Sequence, residues 1–175
     1  MRKKLQQPAI QTDKITPAEI VLLKSAISST DAYLENPVKP DKTDMGLRTE
    51  SRFDFVDNTA RFRLHILLDG QNADGIPLGL EAEFTIDYYY IVENLPDFIV
   101  HHNGDTLVHP ILGATLLGIS FSTSRGIVME RTKGTPLAGF ILPVINPMQT
   151  LFDSQNQADT PAKTARKRKK KEPAK

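Results

Sequence analysis

The 175-residue sequence predicts an α+β domain: several antiparallel strands, then one long helix and an extended arm, with the helical part on one face of the sheet. Three observations carry this. Apolar and polar residues alternate clearly through Arg61–Gly70 and again through Glu81–Glu93. After Pro110 the apolar spacing changes to steps of three and four residues. Beyond Gly134 an apolar stretch is broken by Pro136, Pro143 and Pro147.

The first ordered segment runs from about Pro17 to Asp31. Thr16 and Pro17 have the chemistry of a helix start, but Leu23, Ser25, Ile27 and Ser29 alternate with Lys24, Ala26 and Ser28, which favours a strand. ENPVKPDKTDMG carries two prolines and reads as a loop. Phe53 and Phe55 then share a side. In the next run Phe62, Leu64, Ile66 and Leu68 form one face, and Arg61, Arg63 and His65 the other, as in a half-buried antiparallel strand. DGQNADGIPLG is dense in Gly, Asn and Asp and reverses the chain. The returning strand puts Ala82, Phe84, Ile86, Tyr88, Tyr90 and Val92 on one face, with Glu81, Glu83, Thr85, Asp87, Tyr89, Ile91 and Glu93 opposite. These two strands make a hairpin. A Gly/Asn loop at Asn103–Asp105 separates them from the helix, where Pro110 suits the first turn and Gly134 the end. Gly113, Gly118 and Gly126 each weaken that helix by about 1 kcal/mol relative to Ala, so it needs contacts against another surface, and small residues allow a close one. TPLAGFILPVINPMQTLF reads as an irregular strand leading to a short terminal helical turn.

Composition bounds the function. With no cysteine, disulfides, thiolate chemistry and cysteine-based zinc sites are excluded, and a reducing cytoplasm is the expected setting. No run reaches the ~18 apolar residues of a membrane span, and Gln6, Gln7, Gln11 and Asp13 stand where the apolar core of a signal peptide would follow MRKK, so a soluble intracellular protein is expected. The net charge of +1 conceals an asymmetry. Lys163–Lys175 holds eight Lys or Arg against one Glu, a balance of +7, and residues 2–4 add +3, which leaves −9 for residues 5–162. The expected layout is a flexible start over 1–15, a domain over 16–152 and a disordered basic tail over 153–175.

The sequence carries no recognisable catalytic motif. There is no Gly-rich nucleotide fingerprint, no Walker-type GKS or GKT and no G-x-S-x-G elbow. STSRG around Ser122–Gly126 reads as ordinary helix positions rather than a phosphate cradle. His101 and His102 are neighbours in a loop, His109 stands at the start of the helix, and their spacing matches no metal motif. The hairpin carboxylates Glu81, Glu83 and Asp87 alternate on a solvated or partner-facing sheet face, with no pocket signature for acid–base work. The expectation is a non-enzyme without cofactor or metal. The tail KTARKRKKK offers charge for nucleic acid by counterion release, but no aromatic residue for stacking.

His109, Arg125, Gly134–Thr135–Pro136 and Leu142–Pro143–Val144–Ile145–Asn146, preceded by the hairpin of Arg61–Gly70 and Glu81–Glu93, resemble the SecB protein-export chaperones in order and spacing. The resemblance spans about residues 18–152. It departs from that family in the polar turn of the sequence after Phe152 and in the basic tail. The resemblance implies a four-stranded antiparallel sheet with one long helix and a short C-terminal helix on one face, assembled as a homotetramer, a dimer of dimers. It also implies ATP-independent holding of unfolded polypeptide clients in apolar grooves, for protein transport and export or for a toxin–antitoxin partner, and an acidic sheet surface that engages SecA. Uncovered apolar and aromatic surface is what a client groove requires. The candidates are Tyr88, Tyr89 and Tyr90 on the strand with Leu116, Ile119 and Phe121 on the helix, and Glu81, Glu83 and Asp87 are the partner-facing acidic set.

Overall fold

The computed structural model describes residues 8–102 and 104–158, so most of the basic tail lies outside the described residues. Four strands form one antiparallel sheet: β1 (Ile15–Ser29), β2 (Lys42–Asp54), β3 (Thr59–Gln71) and β4 (Pro77–Val92), in the order β1-β4-β3-β2. Long strands suit these residues because the apolar side chains of β3 and β4 fall on one side at period two. The β3–β4 register sets Phe62 against Tyr88, Leu64 against Ile86 and Ile66 against Phe84, and all six side chains are buried. The same pairing sets Arg61 against Tyr89, Arg63 against Asp87 and His65 against Thr85 on the opposite face.

Turn chemistry fixes the connections. Asp54 Oδ1 accepts from the backbone N–H of Val56 and Asp57, and Asn58 takes φ 53°, which closes the turn between β2 and β3. Gly79 has φ 79°, and a Cβ there would stand 2.3 Å from Thr30 Oγ1. That close approach carries the hydrogen bond from Thr30 N–H to the Gly79 carbonyl at 2.8 Å, where β1 ends.

The helical layer is one long helix, α2 (Pro110–Arg131), and the shorter α3 (Pro147–Ala158), as expected for this fold class. His109 caps α2, its Nδ1 accepting from Ile111 N–H at 3.3 Å. Leu112, Leu116, Leu117, Phe121 and Val128 are buried in one core with the inner faces of β3 and β4. The glycines of α2 face this chain's own α3: a Cβ on Gly113 would lie 3.1 Å from Leu151 Cδ1, and one on Gly118 3.3 Å from Pro147 Cγ. Nothing stands within 4 Å of a Cβ at Gly126. By length and composition α2 could also cross a membrane, which the sequence was not expected to offer; it serves here as the core helix of the sheet.

Several local expectations change; among them, β2 begins at Lys42, inside the stretch ENPVKPDKTDMG expected as a loop. The segment after β1 contains a short helix, α1 (Asp31–Glu35), nucleated by Thr30, whose side chain accepts from Tyr33 N–H. The stretch around the histidines is a small hairpin, β5 (Ile99–His102) and β6 (Asp105–Val108), because Ile99 and Val100 pair with Val108 and Leu107. The arm after Gly134 contains turns and no strand: the Thr135 and Leu137 carbonyls accept from Ala138 and Phe140 N–H within the arm, and the prolines have no N–H to give a ladder. α3 continues through the polar residues after Phe152 to Ala158.

Candidate functional site

The structure divides the apolar candidates. Tyr88 and Tyr90 point to the helix side of β4 and are each 2% exposed. Ser124 Oγ donates to the Ser120 carbonyl at 3.0 Å and Ser120 Oγ to that of Leu116 at 2.8 Å. The tyrosine hydroxyls therefore donate to those serines, Tyr88 to Ser124 at 2.6 Å and Tyr90 to Ser120 at 2.7 Å. Burial pushes the Tyr88 hydroxyl up to about 12 and raises that of Tyr90. Leu116 and Phe121 lie in the same core. Ile119 is the surface member of the helix set at 38% exposed, and Tyr89 lies on the opposite sheet face at 36%. The six residues do not form one open surface, because β4 alternates while α2 buries one side.

The outer face separates the carboxylates as well. Asp87 is 1% exposed and accepts a bidentate pair from Arg63, Nε to Oδ1 and Nη2 to Oδ2, both at 2.7 Å. Arg61 lies 4.0 Å from the same carboxylate and Tyr89 O–H donates to it at 3.3 Å. The Arg63 guanidinium holds the Asp87 carboxyl below its ordinary range against the opposing effect of burial. Asp87 is thus an internal anchor of the sheet. Glu83 pairs with Lys24 at 2.6 Å. Glu81 is exposed and shares a cross-strand row with Asp69 and Asp44, a local acidic strip at one end of the outer face.

The uncovered apolar surface lies elsewhere. The connection from α1 to β2 and the arm after α2 flank two adjoining hollows of about 290 and 350 Å³, which share Lys39, Pro136 and Ala138. Tyr33, Pro37 and Val38 line one hollow, and Pro40, Leu137 and Phe140 the other. Val38, Ile141 and Val144 add side chains 43%, 64% and 86% exposed along the same two segments, and Leu34 of α1 one that is 63% exposed. Tyr33 O–H donates to the Val38 carbonyl at 2.9 Å, which folds the first segment over α1. Arg125 Nη2 donates to the Pro143 carbonyl at 2.9 Å, tying down the second, and its guanidinium stands 5.7 Å from the centre of the Phe121 ring. Reading by period misses these residues, since loops have none; the available signal was apolar residues interleaved with prolines in ENPVKP and TPLAGFILPV.

Among the described residues no group of three or more His, Asp or Glu could hold a metal. His101 Nδ1 instead lies 3.4 Å from Thr106 Oγ1 across the small hairpin. Ser124 is spent on the helix backbone and Tyr88, as the ordinary reading of STSRG expects.

No family model and no curated protein matches the chain. Among solved structures, it is similar to the SecB-like chaperone Rv1957 of Mycobacterium tuberculosis, determined in complex with a ChAD peptide from the antitoxin HigA1 (Rv1956). The TM-score is 0.53 at 15% identity, over 77% of this chain and 91% of that one. A protein of unknown function from Streptococcus agalactiae aligns at TM-score 0.31 and 9% identity, over 74% of this chain and 97% of that one. The first likeness shows the fold: this chain has a SecB-like α+β architecture.

Proposed function

We propose that the protein is a holding chaperone, which keeps extended segments of other polypeptides from aggregating without using ATP. The observation that carries this reading is the set of exposed apolar side chains Leu34, Val38, Ile141 and Val144 on α1, the 36–41 connection and the 132–146 arm, next to hollows of mixed polar and apolar lining. A soluble fold buries such residues when it can, and a run of them beside hollows lined by proline and aromatic side chains suits an extended chain. The SecB-like neighbour was solved with an antitoxin peptide, which supports an antitoxin-type client for this chain too.

The working form is a homo-oligomer, a dimer of dimers in the cytoplasm. What supports it is the free edge of β1, with two charged residues in fifteen, Glu19 and Lys24, and with Ile20, Leu23 and Ile27 at 47%, 51% and 37% exposed.

Light scattering with and without a denatured client, alongside a turbidity assay, tests both parts. The expected result is a multimer whose mass rises with client, and loss of protection in Val38→Glu and Ile141→Glu, whose side chains face solvent so that the fold survives. Unchanged aggregation of the client at stoichiometric wild-type protein would sink the proposal.

A further inference from the structure

On the open face of the sheet, one ring nitrogen stands between two groups that make opposite demands of it. His65 Nε2 lies 2.9 Å from Arg48 Nη2 and 3.2 Å from Glu50 Oε1. A guanidinium only donates, so Arg48 needs a bare Nε2; an ionised carboxylate only accepts, so Glu50 needs an Nε2–H. We propose that His65 is a proton-operated switch on this face. Neutral, it holds Arg48; protonated, it takes Glu50 and releases the Arg48 guanidinium to solvent.

Strand register brings the parts together. Arg48, His65, Thr85 and Lys24 follow one another in a row across β2, β3, β4 and β1. Glu50 stands two residues along β2 from Arg48, so both side chains emerge on the same face. Thr85 is 8% exposed and its Oγ1 lies 3.2 Å from His65 Nδ1, which fixes the ring from the β4 side. With the ring proton on Nδ1, every contact is satisfied at once. Nδ1–H donates to Thr85 Oγ1, Arg48 Nη2 donates to Nε2, and Arg48 Nη1 reaches Glu50 Oε1 at 3.2 Å. With the proton on Nε2 instead, two N–H groups would meet head-on at the 2.9 Å contact. The neutral ring is therefore the tautomer protonated at Nδ1.

Acid changes the partner. A proton from water takes the Nε2 lone pair that Arg48 was using, Nδ1–H stays on Thr85, and the new Nε2–H donates to Glu50 Oε1. Arg48 then has no acceptor on the ring and faces a like charge, and its side chain is already 63% exposed. The other charges around the ring are committed elsewhere. Glu83 of β4 is paired with Lys24 of β1 at 2.6 Å, and Asp87 of β4 is held by Arg63 of β3 at 2.7 Å. Among the described residues that leaves Glu50 as the carboxylate within reach of the imidazolium. Arg48 and Glu50 balance while His65 is neutral, so protonation gives the trio a net positive charge. β2 is an outer strand of the sheet, and Arg48 and His65 line a hollow of about 460 Å³ there with the half-exposed Leu67. The switch thus sets the charge at that rim and whether a guanidinium is tied down across it.

The test is nuclear magnetic resonance of the full chain labelled with ¹⁵N, following the His65 ring nitrogens and the Arg48 side chain from pH 8 to pH 5, the range in which histidines change charge. Comparison with His65→Gln assigns the ring signals, and thermal melts check that the fold persists. At pH 8 His65 is expected as the Nδ1–H tautomer, and the Arg48 signals should shift in step as the second proton binds. At pH 6, Arg48→Ala should raise the ratio of doubly to singly protonated His65 by about tenfold, and Glu50→Gln should lower it by about tenfold. Both positions are exposed enough for the fold to survive. An Nε2–H tautomer at pH 8 overturns the proposal, because the neutral ring would then already hold Glu50. So does a ratio that both variants leave within about twofold of wild type, as on an ordinary solvated face, or an Arg48 side chain whose signals ignore the titration of His65.

Discussion

The two faces of the sheet are built on one alternation and solve opposite problems. On the covered face, Phe62, Leu64, Ile66, Phe84 and Ile86 are fully buried against α2, and polarity enters as two hydroxyl pairs, Tyr88 with Ser124 and Tyr90 with Ser120. On the open face no element among the described residues covers the strands, yet Asp87 is as hidden as the core residues, because Arg61, Arg63 and Tyr89 close over it. The comparison teaches that burial on this sheet has two sources. One is a helix laid across apolar side chains; the other is long cationic side chains laid across a carboxylate.

Removing a contact from each source should separate them. The largest effect is expected on the covered face: Phe84→Ala leaves a cavity that helix and sheet cannot fill and should lower unfolding stability by about 3–5 kcal/mol, read from the urea midpoint. A loss below about 1 kcal/mol would mean that α2 does not pack there as described. Next comes Asp87→Ala, which strands the Arg63 guanidinium. Because Arg63 is about a quarter exposed, its cost falls below that of a fully buried pair, at about 2–3 kcal/mol.

The same pair has a pH signature. Since folding lowers the Asp87 pKa, its contribution is fully present above the unfolded value of about 3.9 and is lost as pH falls through the lower folded value. Urea midpoints for wild type and Asp87→Asn should therefore converge in acid below about pH 4, and parallel curves down to that range would show that the pair adds no pH-dependent stability. The smallest effect belongs to the edge of the open face. Lys24 and Glu83 are each about half exposed, so Lys24→Ala should change stability by less than about 1 kcal/mol, and a larger loss would show that β1 relies on this pair.

Much of this was legible in the sequence. The hairpin of β3 and β4 and the start of α2 at Pro110 follow from local periodicity and helix-end chemistry, which depend on neighbours in the chain; that His109 caps the helix came from the structure. The alternation also told that Tyr89 faces away from Tyr88 and Tyr90. It could not tell which of the two faces a helix would cover. The glycines of α2 announced a close neighbour, but not that it would be Leu151 and Pro147 of the same chain. The site was the least legible part. Val38 and Ile141 belong to segments without period, and their exposure depends on two loops about a hundred residues apart in sequence meeting beside α1.

By itself, then, the sequence determined the central β3–β4 hairpin, the long helix and the division of charge between an acidic body and two basic ends, because each is written in local spacing or composition. Only the tertiary structure decided the order β1-β4-β3-β2, the closing of Arg63 over Asp87, and which apolar side chains were left without cover. The reason is that burial belongs to a residue's surroundings: the same leucine is core or surface according to what distant parts of the chain place over it.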